Sequence, residues 1–520
     1  MNSDQAQPAA LNYPELIVGI AGPIGVDMDL IARGLQSAFS RVDYTTSLLK
    51  LTSEMIRFPI AKPELRTEPA KWQGPDTFNT YMRKMSEANA LRRQYTDPSV
   101  LARIAIDAVR RERETLTGQK DTVKAKHAYL IRQFKRPEEV ALLRKVYGRQ
   151  FILISAYASE AKRREQLCAR LRPELSTMSA AGDIAHRADA LIERDASEDD
   201  DALGQALRDT FHLADVFIDG LNKPEMDMKL TRFIEALFGK NDITPSKDEY
   251  GMYAARSASF RSSDLSRQVG AALFSADGEL ITQGCNEVPK AFGGTYWDLE
   301  TPDNRDIKKG FDPNERHKRE LLRDVIERMR SKGYLSEQLL QLGTDADVVK
   351  ALIAKGREGV PAGALATSRI MDLTEYGRVV HAEMLAICDG ARLGRSVKGT
   401  TLYCTTFPCH NCTKHILASG IRRVVYMEPY PKSRAKDLHP DEIEVEAESD
   451  TKVAFVPFMG ISPFRYRDLF HKGRRKQDDG TADDWYRDQK SPMIEVVLPG
   501  YTYNEAWALA QLIGDVKAKG

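Results

Sequence analysis

Two short motifs late in the chain limit its fold more than any other feature. His381-Ala382-Glu383 opens one helical pattern, and 28 residues further on Pro408-Cys409-His410-Asn411-Cys412 opens another. Strand signals at Thr401-Leu402-Tyr403-Cys404 and Arg423-Val424-Val425-Tyr426 flank the second helix, Cys412 to Ser419, so this stretch reads as a βαβ unit in an α/β layer. The six cysteines are too few for a disulfide scaffold, and four of them fall between residues 388 and 412, which points to chemistry rather than cross-linking.

Length extends the argument to the whole chain. At 520 residues it exceeds what one hydrophobic core supports, so two or three domains are expected. With 42% hydrophobic and 29% charged residues the composition is that of a water-soluble globular protein. No run approaches the roughly 20 apolar residues of a membrane span, and Met1 to Asn12 has neither a basic start nor an apolar core. A cytoplasmic location without membrane association is the expectation. The formal charge of +1 provides no global attraction to nucleic acid, so any polyanion site must be local.

Near the N-terminus, Leu16 to Ile20 reads as a strand, Ala21-Gly22-Pro23-Ile24-Gly25 as a turn and Leu30 to Leu35 as a helix. A second strand is expected at Phe151 to Tyr157. We expect a flexible tail over 1–13, an α/β domain over 14–240 and a second α/β domain over 250–520. The acidic run Glu193 to Asp201 reads as a solvated loop. In the second domain, apolar runs flanking Asp277-Gly278 predict a hairpin. A charged helical insertion over about 300–370 follows, which can cover the site or build a subunit interface.

The late motifs have the H-x-E and P-C-x-x-C spacing of zinc deaminases. His381, Cys409 and Cys412 supply three tetrahedral ligands and leave a fourth position for water. Glu383 is not a ligand; its place is to move protons between that water, a ring nitrogen and the departing ammonia. A structural zinc half-site or a redox pair would also use Cys-x-x-Cys, but neither needs the acid two residues after the histidine. His410 and His415 read as surface or supporting groups, and Cys285, Cys388 and Cys404 as small apolar residues.

The N-terminal turn aligns with a phosphate-binding loop, with Gly22 and Gly25 as candidate nucleotide-binding positions. Asp27, Met28 and Asp29 stand where that loop needs glycine, lysine and a hydroxyl, which argues against kinase activity.

Arg261-Ser262-Ser263-Asp264, Gln268-Val269-Gly270-Ala271 and Gly284-Cys285-Asn286-Glu287-Val288-Pro289 resemble the corresponding series of deoxycytidylate deaminases, as does Thr405 to Cys409. With the kinase-like N-terminal half, the lead Tyr376 to Val380 and the segment Glu428 to Ser433, the whole chain resembles bacterial anti-phage dCTP/dCMP deaminases. The resemblance implies a P-loop kinase-like α/β domain fused to a cytidine-deaminase-like α/β/α domain with a helical insertion. It further implies zinc, a deoxycytidine nucleotide substrate, depletion of dCTP against phage, a homo-oligomer and control by a protein, RNA or nucleotide inhibitor. Asn286 would meet the sugar hydroxyl, Arg261, Ser262 and Lys432 the phosphate, and Tyr430 the base face. A polynucleotide deaminase and a non-catalytic nucleotide-sensing regulator are the alternatives. The near-zero charge speaks against the first and the intact Glu383 against the second.

Overall fold

Leu16–Ala21 (β1) is buried along its entire length, as a near-continuous apolar run must be when both faces of a parallel sheet are covered. The computed structural model describes residues 13–61, 65, 75–172, 181–196, 206–356, 361–483, 485, 490–494 and 500–518. Residues 1–12 of the expected tail lie outside them. The chain groups into two units, Met1–Glu249 with Phe458–Gly520, and Tyr250–Pro457.

In the first unit β1 pairs in parallel with Phe151–Tyr157 (β4) on one side and His127–Phe134 (β3) on the other. Thr45–Lys50 (β2) extends the sheet beyond β3, and Val216–Asp219 (β5) extends it beyond β4. Gly460–Ile461 (β12) then adds an antiparallel pair to β5. The helix Met28–Ser40 starts where expected, after the turn that leaves β1.

Residues from 458 onward were expected to continue the second domain; the structure places them in the first unit. Two interactions explain the correction. Arg465 donates to Asp215 at 3.0 Å and to the Phe151 carbonyl at 2.6 Å. Further on, the helix Gly500–Ala518 brings Glu505 to Arg113. Arg113 is fully buried and donates in a fork to Glu15 at 2.8 and 3.0 Å and to Glu505 at 2.8 Å through two nitrogens. Tyr501 and Tyr129 donate their hydroxyls to Glu15 at 3.0 and 3.2 Å. One buried guanidinium thus serves two buried carboxylates.

The second unit is a six-stranded sheet. Gly270–Phe274 (β6) and Leu280–Cys285 (β7) form the expected hairpin, with Gly278 at φ +105 in its turn. Thr401–Thr406 (β8) pairs antiparallel to β6 and parallel to Arg423–Glu428 (β9). Ile443–Val445 (β10) and Val453–Pro457 (β11) complete the sheet, in the order β10-β11-β9-β8-β6-β7. The helix Ala382–Arg392 lies against β7 at Gly284. A Cβ there would stand 2.1 Å from the Ala382 carbonyl oxygen, so only glycine admits this approach.

The insertion contains the helices Pro313–Ser331 and Asp345–Leu352 and gathers its own apolar cluster of Leu322, Ile326, Leu335, Val348 and Val349. Among the described residues, no helix is long and apolar enough to cross a membrane.

Candidate active site

His381 is the residue just before the helix Ala382–Arg392, and Glu383 lies in that helix's first turn. Cys409 caps the helix His410–Ala418, accepting the Cys412 backbone N–H at 3.4 Å, and Pro408 stands two residues before the position a helix-starting proline takes. β8 leads into this second helix and β7 carries the first, so two helix starts meet over one sheet.

The three donor atoms lie within 4.8 Å of one another. His381 Nδ1 is 3.4 Å from both Cys409 Sγ and Cys412 Sγ. Zinc bonds of about 2.0–2.3 Å at a tetrahedral centre separate ligand atoms by roughly 3.5 Å, so the trio has the spacing and the donor chemistry for zinc. The Cys409 thiol is drawn down to about 4, chiefly because Cys412 donates to it and then because the His381 ring lies beside it. Cys409 is thereby favoured as the thiolate a metal requires, whereas the hydrogen bond to Cys409 and burial push the Cys412 thiol well up. The partnership with Cys409 raises the His381 imidazole to about 9. Glu383 is 4% exposed, its Oε2 lies 3.5 Å from Cys412 Sγ, and burial pushes its carboxyl above the usual range.

A cavity of about 480 Å³ opens over these groups, lined by Asn286, Tyr430, Lys432, Asp264 and Arg267, and by the insertion through Lys318, Arg369 and Asp372. Asn286 ties the site together: its Nδ2 donates to Asp264 Oδ2 at 3.0 Å and to the Arg267 carbonyl at 3.3 Å, and its Oδ1 accepts the Ala382 N–H at 3.0 Å. Both amide hydrogens are thereby used within the protein, leaving one oxygen lone pair for a ligand. The Arg267 guanidinium sits 5.3 Å over the Tyr430 ring. Lys432 Nζ is 2.5 Å from Asp372.

Arg261 and Ser262 do not line this cavity. The Arg261 guanidinium stacks 3.9 Å over Trp297, and the buried Ser262 hydroxyl accepts the Asp264 N–H at 3.3 Å. Their motif shapes the loop that carries Asp264 and Arg267 instead of presenting them to a ligand. His410 lines the cavity. Asp264, Arg267, Arg369 and Asp372 were not singled out beforehand, although Asp264 closes the Arg261-to-Asp264 motif.

The N-terminal turn differs from a phosphate cradle. The Gly22 carbonyl accepts Lys135 Nζ and Gln133 Nε2, each at 2.8 Å. Asp195, 2% exposed, accepts the Ile24 N–H at 2.7 Å and Lys135 Nζ at 2.6 Å. A carboxylate of the chain thus takes the backbone N–H and the ammonium that a phosphate oxygen would seek. Asp27 likewise takes the N–H groups of Asp29 and Leu30 at 3.0 Å. On their Cβ sides the two glycines pack closely, since a Cβ would approach Met28 to 2.5 Å at Gly22 and Arg163 to 2.9 Å at Gly25. Asp195 was expected in a solvated loop. Residues 193–196 instead end the helix Ala181–Ala196, and 197–201 lie outside the described residues. ATP and GTP hydrolysis by the purified protein is expected to be absent, which a phosphate-release assay checks; multiple turnovers lost in Gly25→Asp would contradict it.

Residues 245–428 match the family described as the cytidine and deoxycytidylate deaminase zinc-binding region. The deoxycytidylate deaminase of Enterobacteria phage T2 is 47% identical over 55 residues, 11% of this chain and 29% of that protein. The chain therefore spans less than a third of that relative's length. ComE operon protein 2 of Bacillus subtilis (strain 168) is 30% identical over 133 residues, covering 22% of this chain and 70% of that protein. The crystal structure of dCMP deaminase from the cyanophage S-TIM5 in complex with dCMP and dUMP covers 41% of this chain and 98% of that one, at 17% identity and a TM-score of 0.22. Through the match over 245–428, a stretch that contains His381, Glu383, Cys409 and Cys412, and the extent of the Bacillus match, the chain belongs to the cytidine and deoxycytidylate deaminase family.

Proposed function

We propose that the chain is a zinc-dependent hydrolase that converts deoxycytidine nucleotides, dCMP and dCTP, with water into dUMP and dUTP plus ammonia. The carrying observation is the buried Glu383 carboxylate beside a His381–Cys409–Cys412 trio with zinc spacing. Zinc would be held by His381, Cys409 and Cys412 and would supply a Lewis acid that makes water a better nucleophile. Glu383 moves the protons. Its carboxylate accepts one from the attacking water, passes it to the ring nitrogen next to the carbon under attack, and delivers the second to the departing amine. The water oxygen bonds to that carbon as the carbon–nitrogen bond breaks, which leaves a uracil.

Asn286 fixes the start of the helix that carries Glu383, and the free lone pair on its Oδ1 is available to a sugar hydroxyl. Tyr430 closes one face of the base, and Lys432 with Arg267 serves the phosphate. Depletion of dCTP during phage infection is the biological reading, supported by the resemblance of both halves to the anti-phage deaminases. On this reading, deoxycytidine nucleotides turn over at least tenfold faster than a cytosine in single-stranded DNA. Ammonia release and base conversion measured across dCTP, dCMP, deoxycytidine and an oligonucleotide test it; an equal or greater rate on the oligonucleotide overturns it.

A further inference from the structure

The insertion contributes directly to the wall of the active-site cavity, and one of its residues stands apart electrostatically. Five of the six Lys and Arg side chains lining the cavity lie 2.5–3.5 Å from a carboxylate. Arg369, exposed at the mouth, is the sixth, and it has no carboxylate partner among the described residues. It begins the 3-10 turn Arg369–Asp372. Side chains three residues apart eclipse one another in such a turn, so Arg369 shares a face with Asp372, whose carboxylate holds Lys432. Arg369 and Lys432 therefore belong to the same wall of the cavity. Lys432 is offset by Asp372, which leaves Arg369 as the cation on that wall without a carboxylate partner.

A guanidinium presents a planar fork of donors that fits phosphate oxygens two at a time and keeps its charge at any working pH. Because its side chain is exposed and uncommitted, no internal ion pair must break before it binds. We propose that Arg369, supplied by the insertion, binds the phosphate chain of the nucleotide and sets the enzyme's preference for longer chains. This assignment rests on the deaminase reading of the site. The attraction grows with the charge of the chain, so loss of Arg369 harms dCTP most, dCMP less and uncharged deoxycytidine least.

The test is steady-state kinetics of full-length, zinc-loaded wild type, Arg369→Ala, Arg369→Lys and Arg369→Glu on these three substrates. A hydrogen bond to a charged group at this strength predicts a roughly ten- to hundredfold fall in the dCTP-to-deoxycytidine ratio of kcat/KM for Arg369→Ala, carried by KM. Arg369→Lys should recover part of that ratio and Arg369→Glu should lower it further. A purely structural role would lower all three substrates together through kcat, and that result overturns the assignment, as does an unaltered ratio. If wild type turns over none of the three, the deaminase reading itself fails, and that failure is visible before any variant is compared.

Discussion

Glu383→Gln is expected to lower kcat by roughly 10²–10⁴-fold, the range of a positioned general acid–base group, while about one zinc per chain stays bound. The amide keeps the shape of the carboxyl group but cannot carry a proton between water and the ring. Glu383 touches the trio only through Cys412 Sγ, 3.5 Å from its Oε2, and the amide keeps that shape, while His381 Nδ1 makes its 3.4 Å approaches to both sulfurs without Glu383. Cys412→Ala, by contrast, removes a ligand, so metal and turnover disappear together. Metal analysis of each purified variant beside its ammonia-release rate separates the two outcomes. A Glu383→Gln enzyme running near the wild-type rate refutes the proposed mechanism.

Arg113→Ala is expected to destabilise the first unit by at least about 3–5 kcal/mol. Removing the guanidinium leaves Glu15 and Glu505 facing each other in a fully buried site, with neither water nor a cation in place of the lost donors. Replacing a buried pair wholesale by apolar groups is often neutral, so the cost arises from the orphaned carboxylates rather than from the absence of ion pairing. Chemical denaturation followed by tryptophan fluorescence or circular dichroism measures it. A shift below about 1 kcal/mol would show that the site rehydrates or that both acids take up protons at small cost.

Local chemistry made some of this structure readable in advance and concealed the rest. The meeting of His381, Cys409 and Cys412 was legible because two helix starts express it through short, fixed spacings, and the hairpin because Asp277-Gly278 supplies a turn with positive φ at Gly278. The apolar run of Leu16 to Ile20 announced a strand in the same way, and the structure adds that it is buried and parallel to both neighbours. By contrast, β12 is only two residues long, and its place depends on a free edge at β5 and on Asp215 receiving Arg465. No local pattern reports a partner 250 positions away. Asp195 was concealed by its company: in a row of acids it reads as solvated, and only the approach of Lys135 and the Ile24 N–H makes burial affordable. Arg261 failed for the opposite reason, because the motif residue that looked like a phosphate ligand found an aromatic face first.

The discontinuity of the first unit has a consequence for how the protein is made. Synthesis delivers residues 1–249, then the whole of the second unit, and only afterwards the segment from 458 that carries β12, Arg465 and Glu505. At an elongation rate of about 5–20 residues per second, the roughly 200 intervening residues take on the order of ten seconds or more to appear. Throughout that interval Arg113 has Glu15 but not Glu505, and the β5 edge lacks its antiparallel cover. The catalytic sheet, whose strands all lie between 270 and 457, can close on the ribosome before the earlier half of the chain is complete. Nascent chains stalled before residue 458 should accordingly show a protease-resistant second unit and a first unit that depends on chaperones.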